Sequence, residues 1–128
     1  MCGMDNAGKT TLLCHLTQDE YTNTLPHGQW NKQTTQFHDC SFVLINVADT
    51  FRVFPIQTDA YREVAAVIYV VNVSNRESMH NVRENLEDIL MDDTYENESK
   101  TLLILANKQD IPGGMSIAEV IEKIGIEK

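Results

Sequence analysis

Apolar and polar positions along the 128-residue chain fall into short runs of two kinds. From Thr10 to Leu16, Leu12, Leu13 and Leu16 recur at helical spacing soon after a glycine, which predicts a helix starting at about Lys9. Ser41–Val47 is a β-rich run that a helix would not favour. Val64–Val73 is apolar except for Asn72 and rich in β-branched residues, the pattern of a strand buried on both faces. Met79–Met91 carries Val82, Leu86, Ile89 and Leu90 on one helical face. Thr101–Ala106 predicts a second fully buried strand. Pro112-Gly113-Gly114 breaks the chain, and Ser116 stands where it can cap a last helix with Ile117, Val120, Ile121 and Ile124 inward. No internal repeat, low-complexity tract or linker divides these segments. Strands alternating with helices predict one α/β domain over residues 1–128, built on a mostly parallel sheet.

Composition supports a packed core: Leu, Ile, Val and Phe account for 34 residues, well above the ~20 % below which chains tend to be disordered. Ten basic residues against 19 acidic ones give a formal charge of −9. That balance argues against a nucleic-acid partner, which calls for a basic face to displace counterions, and against electrostatic docking on anionic lipid. The acidic cluster of Asp92, Asp93, Glu96 and Glu98 is a solvated loop. Three cysteines (Cys2, Cys14, Cys40) without C-x-x-C spacing point to reduced thiols in a cytosolic protein rather than to a disulfide framework. His15, His27, His38 and His80 show no H-x-x-x-H spacing, so zinc has little support. The longest near-apolar run, Val64–Val71, is far short of the ~18 residues that span a bilayer. The start Met1-Cys2-Gly3 carries no signal peptide, and Cys at position 2 excludes N-myristoylation of this N-terminus.

Two motifs carry chemistry. Gly3-Met4-Asp5-Asn6-Ala7-Gly8-Lys9-Thr10 is a complete G-x-x-x-x-G-K-[ST] sequence, followed by Thr11. Its glycines let the backbone turn successive N–H groups toward phosphate oxygens, and the helix that follows adds its positive end. Lys9 is placed to bridge the terminal phosphates and the Thr10 hydroxyl to ligate Mg²⁺. The second motif, Asn107-Lys108-Gln109-Asp110, directly follows the buried strand. A carboxylate at Asp110 can accept both the N1–H and the exocyclic amino group of guanine, an arrangement adenine does not offer. Asn107 braces such a site, and the Lys108 stem lies along the base.

With these residues the chain resembles the Arf and Arf-like branch of the Ras-type small GTPases. The resemblance rests on residues 3–13, on Val-Ile-Tyr-Val-Val-Asn at 67–72 and on Leu-Leu-Ile-Leu-Ala-Asn-Lys-Gln-Asp at 102–110, and it covers essentially the whole chain. It implies a three-layer P-loop NTPase fold, the Ras-like G domain. It further implies GTP and GDP as ligands with Mg²⁺, exchange factors and effector proteins as partners, and a cytoplasmic location or one peripheral to intracellular membranes. The phosphate-binding set is then Gly3, Met4, Asp5, Asn6, Ala7, Gly8, Lys9, Thr10 and Thr11. The guanine-binding set is Asn107, Lys108 and Asp110, with Thr10 as metal ligand.

The departures from the family pattern concentrate where the γ-phosphate is sensed. Where the family's switch 1 reads Pro-Thr-x-Gly-Phe-Asn, this chain has Pro26-His27-Gly28-Gln29-Trp30-Asn31. His27 replaces a hard-oxygen metal ligand with a softer nitrogen, and is expected to have no catalytic role. Where switch 2 reads Trp-Asp-x-Gly-Gly-Gln, this chain has Ile45-Asn46-Val47-Ala48-Asp49-Thr50. Asn46 then replaces the Asp that holds Mg²⁺ through water, Asp49 brings negative charge toward the γ-phosphate, and Thr50 replaces the water-orienting Gln. The aromatic effector-facing cluster is thinned to Trp30, with Ile45, Gln57 and Ala60 at its other positions. Against the family pattern, the first strand and the last strand with its helix are largely missing, as is the amphipathic N-terminal helix that Arf proteins dock to membranes. The expectation is a partial G domain of poor stability, with facing edges of the strands at 41–47 and 64–73 left unpaired, so that either the two strands close up directly or the chain aggregates or remains molten.

Three functions follow as alternatives: a guanine-nucleotide-binding protein with weak or absent hydrolysis; a working GTPase switch in vesicle trafficking or membrane signalling; and a nucleotide-free interaction module. The intact phosphate loop and Asn-Lys-Gln-Asp motif favour the first two over the third, and the set His27, Asn46, Asp49 and Thr50 favours the first over the second.

Overall fold

The computed structural model describes residues 1–17, 30–37, 39–47, 64–91 and 100–125. In chain order the elements are α1 (Lys9–Thr17), β1 (Trp30–Phe37), β2 (Cys40–Val47), β3 (Ala66–Asn72), α2 (Met79–Met91), β4 (Thr101–Asn107) and α3 (Ile117–Ile124).

Strands β3 and β4 pair in parallel, from Ala66 opposite Thr101 to Asn72 opposite Asn107. On the other side of β3, Cys2 forms a parallel bridge to Tyr69. Its N–H donates to the Ile68 carbonyl at 2.9 Å, and its carbonyl accepts from the Val70 N–H at 2.8 Å. Parallel neighbours need a long crossover, and α2 lies in the one between β3 and β4. The strand β2 does not close onto β3. It pairs antiparallel with β1 instead, in a separate sheet running from Trp30 opposite Val47 to Phe37 opposite Cys40. Direct closure of 41–47 onto 64–73 is therefore not the arrangement adopted. β1 carries no apolar alternation (WNKQTTQF), so nothing in its own pattern marks it; the neighbouring β-rich run supplies its pairing.

The core explains why β3 is apolar up to Asn72. Val67, Tyr69 and Val71 face one side and pack with Met79, Val82, Leu86 and Ile89 of α2 and with Val120 and Ile124 of α3. Val70, on the opposite face, is fully buried too. A strand covered on both faces reads as a continuous apolar run. The other strand departs from expectation. β4 is only partly buried, and Leu103 is 51 % exposed, because Leu102, Ile104 and Ala106 turn to the core while the alternate positions do not. An apolar run alone does not tell whether its second face is covered.

Helix α3 is also less buried than its pattern predicts. Val120 and Ile124 are buried, whereas Ile117 and Ile121 are more than half exposed. These two border a shallow apolar groove shared with Ile104 and Ala106 of β4. The ends of α3 follow the sequence closely. Ser116 accepts from the Glu119 N–H at 3.2 Å while the Glu119 carboxylate accepts from the Ser116 N–H at 2.8 Å, a reciprocal capping box. Gly125 closes the helix in the left-handed region. Among the described residues no helix is long and apolar enough to cross a membrane.

Candidate functional site

The phosphate loop runs from the Cys2 bridge into α1, so one edge of β3 fixes its start. Gly3 has φ +138°, and a Cβ there would run into the carbonyl oxygen of Val70. Only glycine lets the backbone lie this close to the strand. The loop then turns through Asn6 at φ +58°, and the Ala7 N–H donates to the Met4 carbonyl at 3.2 Å. Lys9 is buried. Its Nζ donates to the carbonyls of Gly3 at 2.6 Å and Met4 at 2.8 Å, so the ammonium lies over the loop it follows. Burial holds the Met1 amino group below its usual pKa; the nearby Cys2 opposes that shift and Lys9 adds to it. Thr10 is partly exposed and Thr11 exposed, in the first turn of α1.

The Asn107–Asp110 segment leaves the C-terminal end of β4 against this loop. The Asn107 side-chain amide donates to the Ala7 carbonyl at 2.8 Å. A Cβ at Gly8 would collide with that same amide, which is why the loop has glycine there. Lys108, at φ +66°, donates through Nζ to the Asn6 side-chain oxygen at 3.1 Å. Asn6 and Lys108 are the two non-glycine residues with positive φ among those described, a backbone state that costs on the order of 1–3 kcal/mol each. The segment's start is held by the Val73 N–H donating to the Asn107 carbonyl at 3.1 Å, and a turn follows in which the Ile111 N–H donates to the Lys108 carbonyl at 3.2 Å. Asp110 lies in that turn, exposed to solvent. Ligands bind in such folds outside the carboxyl ends of parallel strands, and both motifs stand at that end of β3 and β4.

The structure thus brings Asn6, Ala7 and Gly8 together with Asn107 and Lys108, residues that stand about a hundred positions apart. One contact of the site carried no sequence signal. Asn85, buried on α2, donates to the Tyr69 hydroxyl at 3.1 Å and lies 3.3 Å from the Met4 sulfur, tying helix, strand and phosphate loop. Its only hint was its place one turn after Val82 on the apolar face. Of the residues matched to the family's switch segments, Asn46 is on β2 opposite Asn31, and Ile45 is opposite Lys32. His27, Asp49, Thr50, Gln57 and Ala60 lie outside the described residues.

Among the described residues no three His, Cys, Asp or Glu side chains converge as a metal cage. At the loop the Thr10 hydroxyl is a donor of suitable type, a hard oxygen at the start of α1. A single protein oxygen fits Mg²⁺, which keeps several waters and takes phosphate oxygens for the rest of its shell.

Comparison with solved structures finds the same architecture. The chain superposes with a TM-score of 0.85 on the Arl6 BBS3 small GTPase from Trypanosoma brucei with bound nucleotide analogue GppNp. The two are 27 % identical, and the match covers 98 % of this chain and 74 % of that one. The fold therefore agrees with a small-GTPase G domain. Since all of residues 1–128 also match the ADP-ribosylation factor family, the chain belongs to that family.

Proposed function

We propose that this chain binds guanine nucleotide and hydrolyses GTP weakly or not at all. The observation that carries the first half is the pair of side-chain contacts from Asn107 to Ala7 and from Lys108 to Asn6. They set a phosphate-type loop and a base-type segment side by side. Gly3, Met4, Asp5, Asn6, Ala7, Gly8, Lys9, Thr10 and Thr11 form the phosphate side. Lys9 there exchanges its carbonyl partners for phosphate oxygens, and the first N–H groups of α1 add their positive end. Asp110, free in solvent at the turn, accepts from guanine while the Lys108 stem flanks the base. The Thr10 hydroxyl would hold Mg²⁺, which when bound would neutralise phosphate charge.

The second half rests on residue types. His27, Asn46, Asp49 and Thr50 leave no hard-oxygen Thr, no Asp to hold Mg²⁺ through water, no Gly and no Gln where the γ-phosphate and attacking water are handled. Exchange factors and effectors are the partners this reading carries with it, in the cytoplasm or at the surface of internal membranes.

Extraction of the purified protein followed by chromatography of the released nucleotide tests the proposal. Bound GDP or GTP in near-stoichiometric amount is the expected result. Protein that emerges nucleotide-free and shows no affinity for added GDP refutes it and favours a pure interaction module.

A further inference from the structure

Two non-glycine residues sit in the left-handed region, and each is the other's side-chain partner. Asn6 (φ +58°) presents its side-chain oxygen to the Nζ of Lys108 (φ +66°) at 3.1 Å, across 102 positions of sequence. Asparagine tolerates that region because its short polar side chain bonds locally. Lysine has no such preference, so the conformation of Lys108 is imposed by its surroundings. Asn107, immediately before, is held by its own bond to Ala7. Two consecutive residues of one segment are therefore gripped by two consecutive residues of the other: one grip goes to a backbone carbonyl that any residue would offer, the other to a side chain. With Nζ anchored on Asn6, the Lys108 stem is stretched across the gap between the phosphate loop and the base segment.

From this we infer that Asn6 is a positioning residue: its side-chain oxygen fixes Lys108 and so couples the two halves of the nucleotide site. The inference rests on the guanine-nucleotide reading given above. Asn6 shares with Asp5 and Ala7 a backbone N–H on the phosphate side, which any residue there would keep; what sets it apart is the side-chain oxygen on Lys108. Loss of the Asn6 oxygen leaves the phosphate loop intact but frees Lys108. A ligand that spans both halves then loses affinity, whereas a ligand that occupies only the phosphate half does not.

The test is calorimetric titration of the nucleotide-stripped 128-residue chain with GDP and, separately, with inorganic pyrophosphate, each with Mg²⁺. Asn6→Gly removes the acceptor and keeps an unstrained left-handed backbone; Lys108→Met removes the donor and keeps the stem. Asn6→Gly is expected to weaken GDP about three- to tenfold, in the range of one exposed charge-assisted contact, and to leave pyrophosphate within about twofold. The double variant is expected to bind GDP no more weakly than Lys108→Met alone, because the two changes break one contact. Should the glycine variant fail to fold by circular dichroism, Asn6→Ala replaces it with the same expectation. GDP affinity unchanged in the Asn6 variant, pyrophosphate affinity falling in step with GDP, or losses that multiply in the double variant each overturn the inference alone. An unsubstituted chain that binds no GDP overturns the nucleotide reading itself, and the inference with it.

Discussion

The side-chain amide of Asn107 donates to the main-chain carbonyl of Ala7 at 2.8 Å, and Ala7 has no exposed surface. A buried carbonyl that loses its donor keeps the full desolvation cost, about 1–3 kcal/mol. Asn107→Ala should therefore destabilise the nucleotide-free protein by about that amount in urea, with the m-value unchanged. It should also weaken GDP, because the loop and base segment lose a shared brace. Equal midpoints for the two proteins would show that water replaces the amide at no cost.

Gly3→Ala tests the docking of the phosphate loop on β3. The new Cβ meets the carbonyl oxygen of Val70, which is itself in the sheet, and φ +138° is strained for any L side chain. Backbone would have to move, at about 2–4 kcal/mol, a large share of the roughly 5–15 kcal/mol that stabilises a domain. The expected outcome is a lowered urea midpoint together with weakened nucleotide binding. Gly113→Ala, in open space, serves as the comparison, since it meets no atom and carries only the strain of φ +80°.

The elements most easily anticipated from the sequence are those whose pattern follows from their own burial. The helices that begin at Lys9 and Met79, the capped helix after Ser116 and the run through β3 stand within a residue or two of their expected bounds. β1 was invisible because its eight residues hold only two large apolar side chains, one at each end, and its strand state comes from pairing with β2. For Ile117 and Ile121 the pattern misleads: four apolar positions on a short helix make a stripe wider than the surface available to cover it, and only Val120 and Ile124 reach the core. The site divides the same way. Its two motifs are legible because phosphate and base chemistry demand residue types at fixed spacing. Their meeting through Asn6 and Lys108, and the support of Met4 by Asn85, depend on tertiary contacts between distant residues that no local period encodes.

The capping box of α3 gives a pH dependence of definite sign. The Glu119 carboxylate is held below its usual pKa first by the Ser116 N–H and then by Arg76, 3.0 Å away. A carboxylate with a depressed pKa in the folded state adds stability that is full above its unfolded pKa of ~4.3 and disappears as pH falls through the folded value. Melting curves of the protein and of Glu119→Gln should accordingly be separated at neutral pH and converge as pH falls through the folded value. The separation should narrow in salt, since the Arg76 pair is exposed. Curves that remain parallel down to the acid end would remove Glu119 as the titrating group. Ser116→Ala should lower stability at every pH by about 0.5–2 kcal/mol, the usual cost of a lost N-cap.

Base choice should reside in Asp110. Its carboxylate is exposed at the turn that follows Lys108, where it can accept two hydrogens from guanine. Asp110→Asn replaces one acceptor with a donor, so it should weaken GDP and shift preference toward xanthine nucleotide, which presents a carbonyl in place of the amino group. The loss should be about 1–3 kcal/mol per unsatisfied partner, roughly ten- to a hundredfold in Kd. Competition among GDP, XDP and ADP for the stripped protein reads it directly, and equal affinity of the unsubstituted chain for ADP and GDP would exclude the assignment.

Hydrolysis should be indistinguishable from the uncatalysed background, and repairing one residue should not restore it. In-line attack on the γ-phosphate needs a positioned water, a filled metal shell and donors around the transferring group, and groups that act as a unit are strongly non-additive. Thr50 has no amide with which to orient water. Asp49 would set a negative charge against the γ-phosphate, which also makes GDP bind at least as well as GTP. On this proposal Asn46, on β2 opposite Asn31, would supply a neutral amide where charge is needed, and His27 would offer nitrogen where Mg²⁺ prefers oxygen. Thr50→Gln alone should therefore give little recovery in single-turnover phosphate release. Asn46→Asp with Asp49→Gly should first improve GTP relative to GDP, and only addition of His27→Thr and Thr50→Gln to that pair should raise the rate. The control is Lys9→Ala, which removes the ammonium now bonded to Gly3 and Met4 and should abolish any rate that belongs to this site. An unsubstituted chain that turns over GTP at the pace of an ordinary small GTPase, with the activity lost in Lys9→Ala, would mean that residues other than these four complete the catalytic site.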